Sequence, residues 1–318
     1  MLQLPLGLIS LLNRLRLGES PLAILYYHRV MQQADPFRPD DPTIDAFEQQ
    51  IAYLSRHFNI LTMDDAIARL KSRTLPARSL VLTFDDGYRD NLTQAAPILA
   101  KYKAPATVFV ATNGLETGIL WNDKLTHAIE HSSAAEISLP EISVQLSLAG
   151  QAARQLANSQ LINQLKFLPQ SERDRWVSEV LEQLAVEDFP RLMLNPSELV
   201  DLRNQGWQIG AHTHDHSILS CESDEDSAFQ IRHSCQRLAE VLDEPVRYFA
   251  YPNGLYGRDF GQRECNVVKN LGLEAAFSTN DGGATSRTST WAIPRFMPFR
   301  KQLPLFALSI AKIMGEHE

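Results

Sequence analysis

The amino-acid sequence predicts an α/β protein: a parallel sheet, closed or nearly closed as a barrel, with a mainly helical insertion. Three observations point there. Short apolar runs rich in β-branched and aromatic residues recur along the chain, as expected of strands buried on both faces. Amphipathic helical patterns separate them, and strand–helix alternation implies right-handed crossovers between parallel strands. One long segment, from about Ile119 to Phe189, abandons that rhythm.

The expected strands are Leu22–Tyr27, Ser79–Phe84, Ala106–Val110, Gln208–Ala211, Tyr248–Tyr251 and Glu274–Ser278. After the first of them, residues 44–57 place Phe47, Ile51 and Leu54 at helical spacing, with Asp45 near the start. A second helix begins at Met63. Residues 91–102 repeat the pattern with Leu92, Ala95, Ala96 and Leu99. Asn195-Pro196-Ser197-Glu198 has the form of a helix start: an Asn cap, Pro in the first turn and Glu in the capping-box position. Residues 227–242 make a further long amphipathic helix. Inside the irregular segment, a strand-like piece at 136–148 precedes helical stretches at 151–167 and 171–185. We read 119–189 as an insertion or cap within a single domain covering 1–318, because no repeat or low-complexity linker marks a second domain.

A chain of 318 residues can bury a sizeable core in one such domain. The formal charge of −8 argues against a nucleic-acid partner, which needs a basic footprint. Cys221, Cys235 and Cys265 are too sparse for a disulfide framework and form no C-x-x-C metal pattern. No run approaches the ~18–20 apolar residues of a membrane span. The apolar start, Met1 to Leu12, lacks a basic leading region and a cleavage site, and Arg14 and Arg16 follow it. It reads as a short amphipathic helix rather than a signal peptide, as does the stretch from Leu303 to Met314. The expected placement is cytoplasmic or peripherally membrane-associated.

Two runs carry the reactive side chains. Asp85 and Asp86 follow the strand ending at Phe84, with Gly87 allowing a sharp turn. Functional groups of parallel α/β folds gather where strands end. Adjacent carboxylates there repel unless a cation or hydrogen bonds offset the charge, and a division of labour between metal ligand and base is one solution. A solvated Asp-Asp-Gly turn is the plain alternative. His212, His214 and His216 follow the strand ending at Ala211. Two imidazoles at this spacing converge on one cation, while His214 points elsewhere. Thr213 stands where a zincin helix has its Glu, so the base must come from outside the run, and Asp85 can supply it. One Asp and two His leave coordination positions open, as in a catalytic zinc site, although the same set also suits a non-haem iron oxygenase.

Thr83-Phe84-Asp85-Asp86-Gly87, His212-Thr213-x-x-His216 and Phe249-Ala250-Tyr251-Pro252-Asn253-Gly254 resemble, in that order, the three leading motifs of the polysaccharide deacetylases, carbohydrate esterase family 4. The resemblance runs from about Leu22 to Pro298. It implies a distorted, partly open (β/α) barrel and metal-dependent removal of N-acetyl groups from amino-sugar residues of a polysaccharide. It also implies that Asp86, His212 and His216 hold a divalent ion, zinc first and other transition metals next. Asp85 becomes the base, and the main-chain N–H of Tyr251 holds the oxyanion. Ala250 stands where the family often has an Arg that tethers the base, and Arg295 is the candidate replacement. The family's late Leu-x-His motif has no match. Leu25-Tyr26-Tyr27-His28-Arg29-Val30 instead resembles the exopolysaccharide deacetylase subgroup with a permuted barrel, which makes His28 the candidate acid. Tyr88, Trp121, Tyr251 and Tyr256 are candidate sugar-stacking surfaces. An O-acetyl esterase and a degenerate carbohydrate-binding barrel are the competing readings.

Overall fold

A computed structural model describes residues 20–298 and 302–315. The segment Met1–Leu12 and His317 lie outside the described residues. Strands run in chain order as β1 (Leu22–Tyr27), β2 (Asn59–Ile60), β3 (Ser79–Phe84), β4 (Thr107–Val110), β5 (Glu136–Leu139), β6 (Val144–Ser147), β7 (Gln208–Ala211), β8 (Tyr248–Ala250) and β9 (Ala275–Phe277). Seven of them form one sheet in the order β1-β3-β4-β7-β8-β9, with β2 pairing the start of β3. All pairs in this sheet are parallel. It curls into a half-barrel surrounded by helices.

The gap between β9 and β1 is bridged by an irregular segment, residues 284–296. Ser278 N–H donates to the Ile293 carbonyl at 2.8 Å, and Ile293 N–H donates back to Ala276 at 2.9 Å. On the other side, Phe296 N–H reaches the Ile24 carbonyl at 2.8 Å and Tyr26 N–H reaches Phe296 at 3.0 Å. The ladder is thus closed without a regular strand.

Successive side chains on a strand alternate between faces. Leu22, Ile24, Val81, Phe109, Tyr248, Ala250, Ala275 and Phe277 pack inside the barrel with Met63, Ala66, Ile67 and Leu70. Ala23, Leu25, Leu80, Leu82, Val108, Phe249 and Ala276 face the outer helices. The interior is tight at Gly210, where a Cβ would sit 2.5 Å from the Phe109 ring. This phase positions the site. Val81-Thr83-Asp85, Ile24-Tyr26-His28 and Gly210-His212 each continue an inward row beyond the end of a strand.

The main helices are α1 (Ile44–His57), α2 (Met63–Ser72), α3 (Ala96–Tyr102), α4 (Asn113–Thr117), α5 (Trp121–His131), α6 (Gln151–Leu165), α7 (Gln170–Leu184), α8 (Pro196–Asn204), α9 (Asp224–Leu242), α10 (Gln262–Asn270) and α11 (Leu303–Gly315). Helix α1 buries Phe47, Ile51 and Leu54, and the Thr43 hydroxyl accepts from Ala46 N–H at its start. The capping box of α8 is present: Asn195 Oδ1 accepts from Glu198 N–H at 2.9 Å, and Glu198 Oε2 accepts from Asn195 N–H at 3.0 Å. Ahead of α3 the chain makes a π-helical turn, Asn91–Ala95, which leads into Ala96 and Pro97 at the start of the helix. Proline lacks the donor that an α-helical turn uses, so a register change there is expected.

Between β4 and β7 the chain makes a long excursion with its own core, which includes Leu125, Ile129, Ile137, Leu161, Trp176 and Val180. The strand-like stretch 136–148 is a hairpin rather than one strand: β5 and β6 pair antiparallel around Pro140 and the left-handed Ser143. Pro cannot continue a ladder, and the reversal folds the stretch onto itself.

Candidate active site

Asp86, His212 and His216 come together at the mouth of the barrel, with one ligand atom from each lying within 4.8 Å of the others. Nε2 of His216 and Nε2 of His212 lie 3.1 and 3.5 Å from Asp86 Oδ1. That oxygen is buried and has no hydrogen bond of proper geometry. His212 Nδ1 lies 2.7 Å from the Ala250 carbonyl, which can only accept, so the Nδ1 carries the proton. In the neutral ring, Nε2 then presents a lone pair toward Asp86. Such a carbonyl–imidazole pair fixes the tautomer a metal ligand needs. Burial lowers His212 to about 4, which keeps the ring neutral near pH 7. Burial alone would raise Asp86, but the closeness of the histidines, His216 first, holds it well below the usual carboxylate range. One buried carboxylate oxygen without a hydrogen bond, facing two imidazole nitrogens, makes a three-donor set that fits a divalent ion.

Asp85 is 2% exposed and meets a wholly buried arginine. Arg295 Nη1 and Nη2 donate to its two oxygens at 2.7 and 2.8 Å. The guanidinium is held by Nε donating to the Ser278 carbonyl and by Tyr26 and Phe109 rings at 4.8 and 5.3 Å. Burial pushes Asp85 up, but the Arg295 charge and hydrogen bonds, together with smaller contributions from the neighbouring histidines, hold it below the usual carboxylate range. Arg295 stands on the irregular segment that closes the barrel, 210 residues from its partner.

His28 leaves β1 beside the start of this loop: Asp85 N–H donates to the Tyr27 carbonyl at 2.8 Å. Its ring is partly exposed and packs edge-on to Tyr26 at 5.8 Å. It lies close enough to Asp85 and Asp86 for a positive charge on its ring to favour both carboxylates. The main chain around it is pinned, since Asn91 Nδ2 donates to the His28 carbonyl and Asp90 accepts from Val30 N–H and Arg29 Nε.

Other expected site residues sit differently. His214 turns away from the cluster, with Nδ1 2.8 Å from Thr112 Oγ1 and its ring against His233. Tyr88 is buried and donates its hydroxyl to Asp123 at 2.8 Å, so it offers no face to a sugar. Trp121 lies under the Arg173 guanidinium and lines a separate cavity of about 230 Å³ with Lys124 and Asp174. The Tyr251 ring is wholly buried against Phe260. Tyr256 is 48% exposed and lines a cleft of about 540 Å³ with Trp291, Asn280 and Asp281.

One expectation is corrected. The Tyr251 main-chain N–H donates to the Phe277 carbonyl at 3.1 Å, continuing the β8–β9 ladder, and is not free to hold an oxyanion. Two residues on, Asn253 has a left-handed φ of 56° and a buried Nδ2 without a partner. No hydrogen bond of its N–H occurs among the described residues. The Pro-Asn-Gly sequence was the available signal for this turn. Asp86 (φ 74°), Thr213 (φ 64°) and His216 (φ 52°) share the left-handed conformation. Elsewhere most non-glycine residues with positive φ cap helices, as Arg73, Lys103 and Asp243 do. Here they aim the loops, and strain of that kind concentrates where function demands it.

The polysaccharide deacetylase family model matches residues 72–276. Over 308 residues the chain is 22% identical to poly-beta-1,6-N-acetyl-D-glucosamine N-deacetylase of Staphylococcus aureus, covering 90% of this chain and 81% of that protein. Its structure resembles the Streptococcus pyogenes deacetylase PplD in complex with acetate, with a TM-score of 0.61, 19% identity, and 93% and 99% of the two chains covered. IcaB from Ammonifex degensii gives a TM-score of 0.59 at 17% identity, covering 93% and 98%. The first two sequence motifs meet at one barrel mouth inside the matched residues, and the chain belongs to the polysaccharide deacetylase family of hydrolases.

Proposed function

We propose that the protein removes N-acetyl groups from glucosamine-type residues of an exopolysaccharide, using a divalent ion, zinc first, held by Asp86, His212 and His216. The observation that carries this is the buried Asp86 Oδ1, left without a hydrogen bond between two imidazole nitrogens. A divalent ion there supplies a Lewis acid and lowers the pKa of water toward ~7. Asp85 takes the proton of the attacking water. Arg295 keeps that carboxylate ionised and aimed. The Asn253 N–H and Nδ2 are the donors available for the developing oxyanion. His28 gives a proton to the departing amine, which leaves poorly without one. Tyr256 and Trp291 offer aromatic faces to neighbouring sugars. Residues 119–189 serve as an insertion within this one domain.

The name of the S. aureus relative suggests a β-1,6-linked N-acetylglucosamine polymer as substrate. Acetate release from oligomers of that linkage, with and without chelator, tests the reading. Activity lost with chelator and restored by Zn²⁺ is expected. Full activity in Asp85→Ala or His216→Ala sinks it. O-acetylated sugars cleaved in preference to N-acetylated ones would make the protein an esterase instead.

A further inference from the structure

Asp123 is a carboxylate on the excursion between β4 and β7, only 2% exposed, and it has two partners from different parts of the barrel mouth. Oδ2 accepts from the Tyr88 hydroxyl at 2.8 Å, and Oδ1 accepts from Arg38 Nη2 at 3.0 Å. Tyr88 follows the Asp85-Asp86-Gly87 turn directly. Arg38 belongs to the 28–42 loop, which leaves β1 at His28. The loop meets the excursion a second time through Phe37, which packs against the excursion's own core. Arg38 is itself braced by Asp35, through Nη1 at 2.8 Å. The Tyr88 ring completes the chain by lying under the Arg29 guanidinium at 4.8 Å, next to His28.

From this arrangement we infer that Asp123 is a positioning residue: it registers the loop that carries His28 against the turn that carries Asp85 and Asp86, and this is a task of the excursion. The inference rests on the proposed role of His28 as acid. The physical reason is the cost of leaving the joint half made. Without Asp123, the part-buried Arg38 guanidinium loses one of its two carboxylate partners and the buried Tyr88 phenol loses its acceptor, so the contact that ties the loop to the turn is gone. A shift of about 1 Å in a reacting group can cost roughly 10²-fold in rate.

The test separates proton donation from the rest of catalysis. An amide needs an acid for its amine leaving group, whereas 4-nitrophenyl acetate releases a stable phenolate without one. Asp123→Asn is made in the wild-type and in the His28→Ala background. Both substrates are measured, N-acetylglucosamine oligomers and 4-nitrophenyl acetate, in zinc-supplemented full-length protein. Expected is a fall of about tenfold or more on the amide, little change on the ester, and no further fall once His28 is absent. Arg38→Met breaks the same joint from the loop side and shows the same pattern, including where Asp123→Asn fails to fold. An equal fall on both substrates, an undiminished effect in the His28→Ala background, or no effect overturns the inference. If His28→Ala itself leaves the amide-to-ester ratio unchanged, the acid assignment fails and takes the inference with it. If His28→Ala shifts that ratio and Asp123→Asn does not, the inference alone fails.

Discussion

Two regions of the barrel mouth deliver reactive groups by opposite means. The ends of β3 and β7 carry theirs locally: Asp85 and Asp86 are neighbours in sequence, and His212 and His216 are four residues apart. The segment 284–296 has no strand pattern, lies far along the chain, and brings Arg295 onto Asp85 through backbone bonds to both β9 and β1. The difference teaches that charge is placed on the strand ends and held there by the closure. A buried carboxylate needs a fixed countercharge, and an irregular segment spanning the barrel's seam supplies it.

The comparison breaks most plainly at the strand ends. Asp85→Asn keeps the shape of the site and removes the base, so acetate release is expected to fall by about 10²–10⁴-fold with the metal content unchanged. A variant that loses its metal as well would move Asp85 into the ligand set.

Arg295→Met tests the closure. Asp85 is then buried without its countercharge, and a stability loss of about 3–5 kcal/mol is expected in urea unfolding, together with lower activity. Asp85→Asn combined with Arg295→Met should recover part of that loss, because the unpaired carboxylate is gone. Equal loss in the single and double variants would show that Arg295 matters only for packing against Tyr26 and Phe109.

Within the histidine run, the contrast is between neighbours. His216→Ala should abolish metal-dependent activity, whereas His214→Ala should cost less than about tenfold, as it loses a loop hydrogen bond to Thr112 and a ring contact with His233 but no metal ligand. Similar losses in the two variants would contradict the orientation of His214.

The smallest effect concerns the 28–42 loop. Burial lifts Asp41 to about 6, against the opposing charges of His28 and Arg29. An unfolded Asp titrates near ~3.9, so the folded state keeps this proton longer. Stability from this group is therefore present at about pH 4 and declines as the pH rises toward about 6. Asp41→Asn should remove that decline, read as the difference in urea midpoint between variant and wild type at each pH. Parallel curves would show that Asp41 does not titrate in this window.

Much of the fold was legible because strand phase and helix spacing are local properties. The inward rows ending at Asp85 and His212 follow from alternation alone. What failed was set by tertiary partners. The Tyr251 N–H could be assigned a free donor's role from sequence, since nothing local says that Phe277 accepts from it. The stretch 136–148 read as one strand because its apolar residues continue through Pro140, and only the pairing of β5 with β6 reverses it. Tyr88 adjoins the first motif and Trp121 is an aromatic near the start of the insertion, but Asp123 and Arg173 claim them. Arg295 was a candidate only because the family resemblance calls for an Arg where Ala250 stands, and its bidentate geometry depends on a closure that has no sequence periodicity. Asn253, Asp90 and Asp123 were not singled out, because a turn Asn and isolated acids are ordinary until their partners are known.

The most direct measurement is a zinc titration of chelator-stripped protein, following acetate release from N-acetylglucosamine oligomers alongside bound metal. The account predicts activity rising in step with one equivalent of metal per chain, and neither binding nor activity in Asp86→Asn paired with His216→Ala. Undiminished deacetylation by the metal-free protein, or full activity in that double variant, would contradict it.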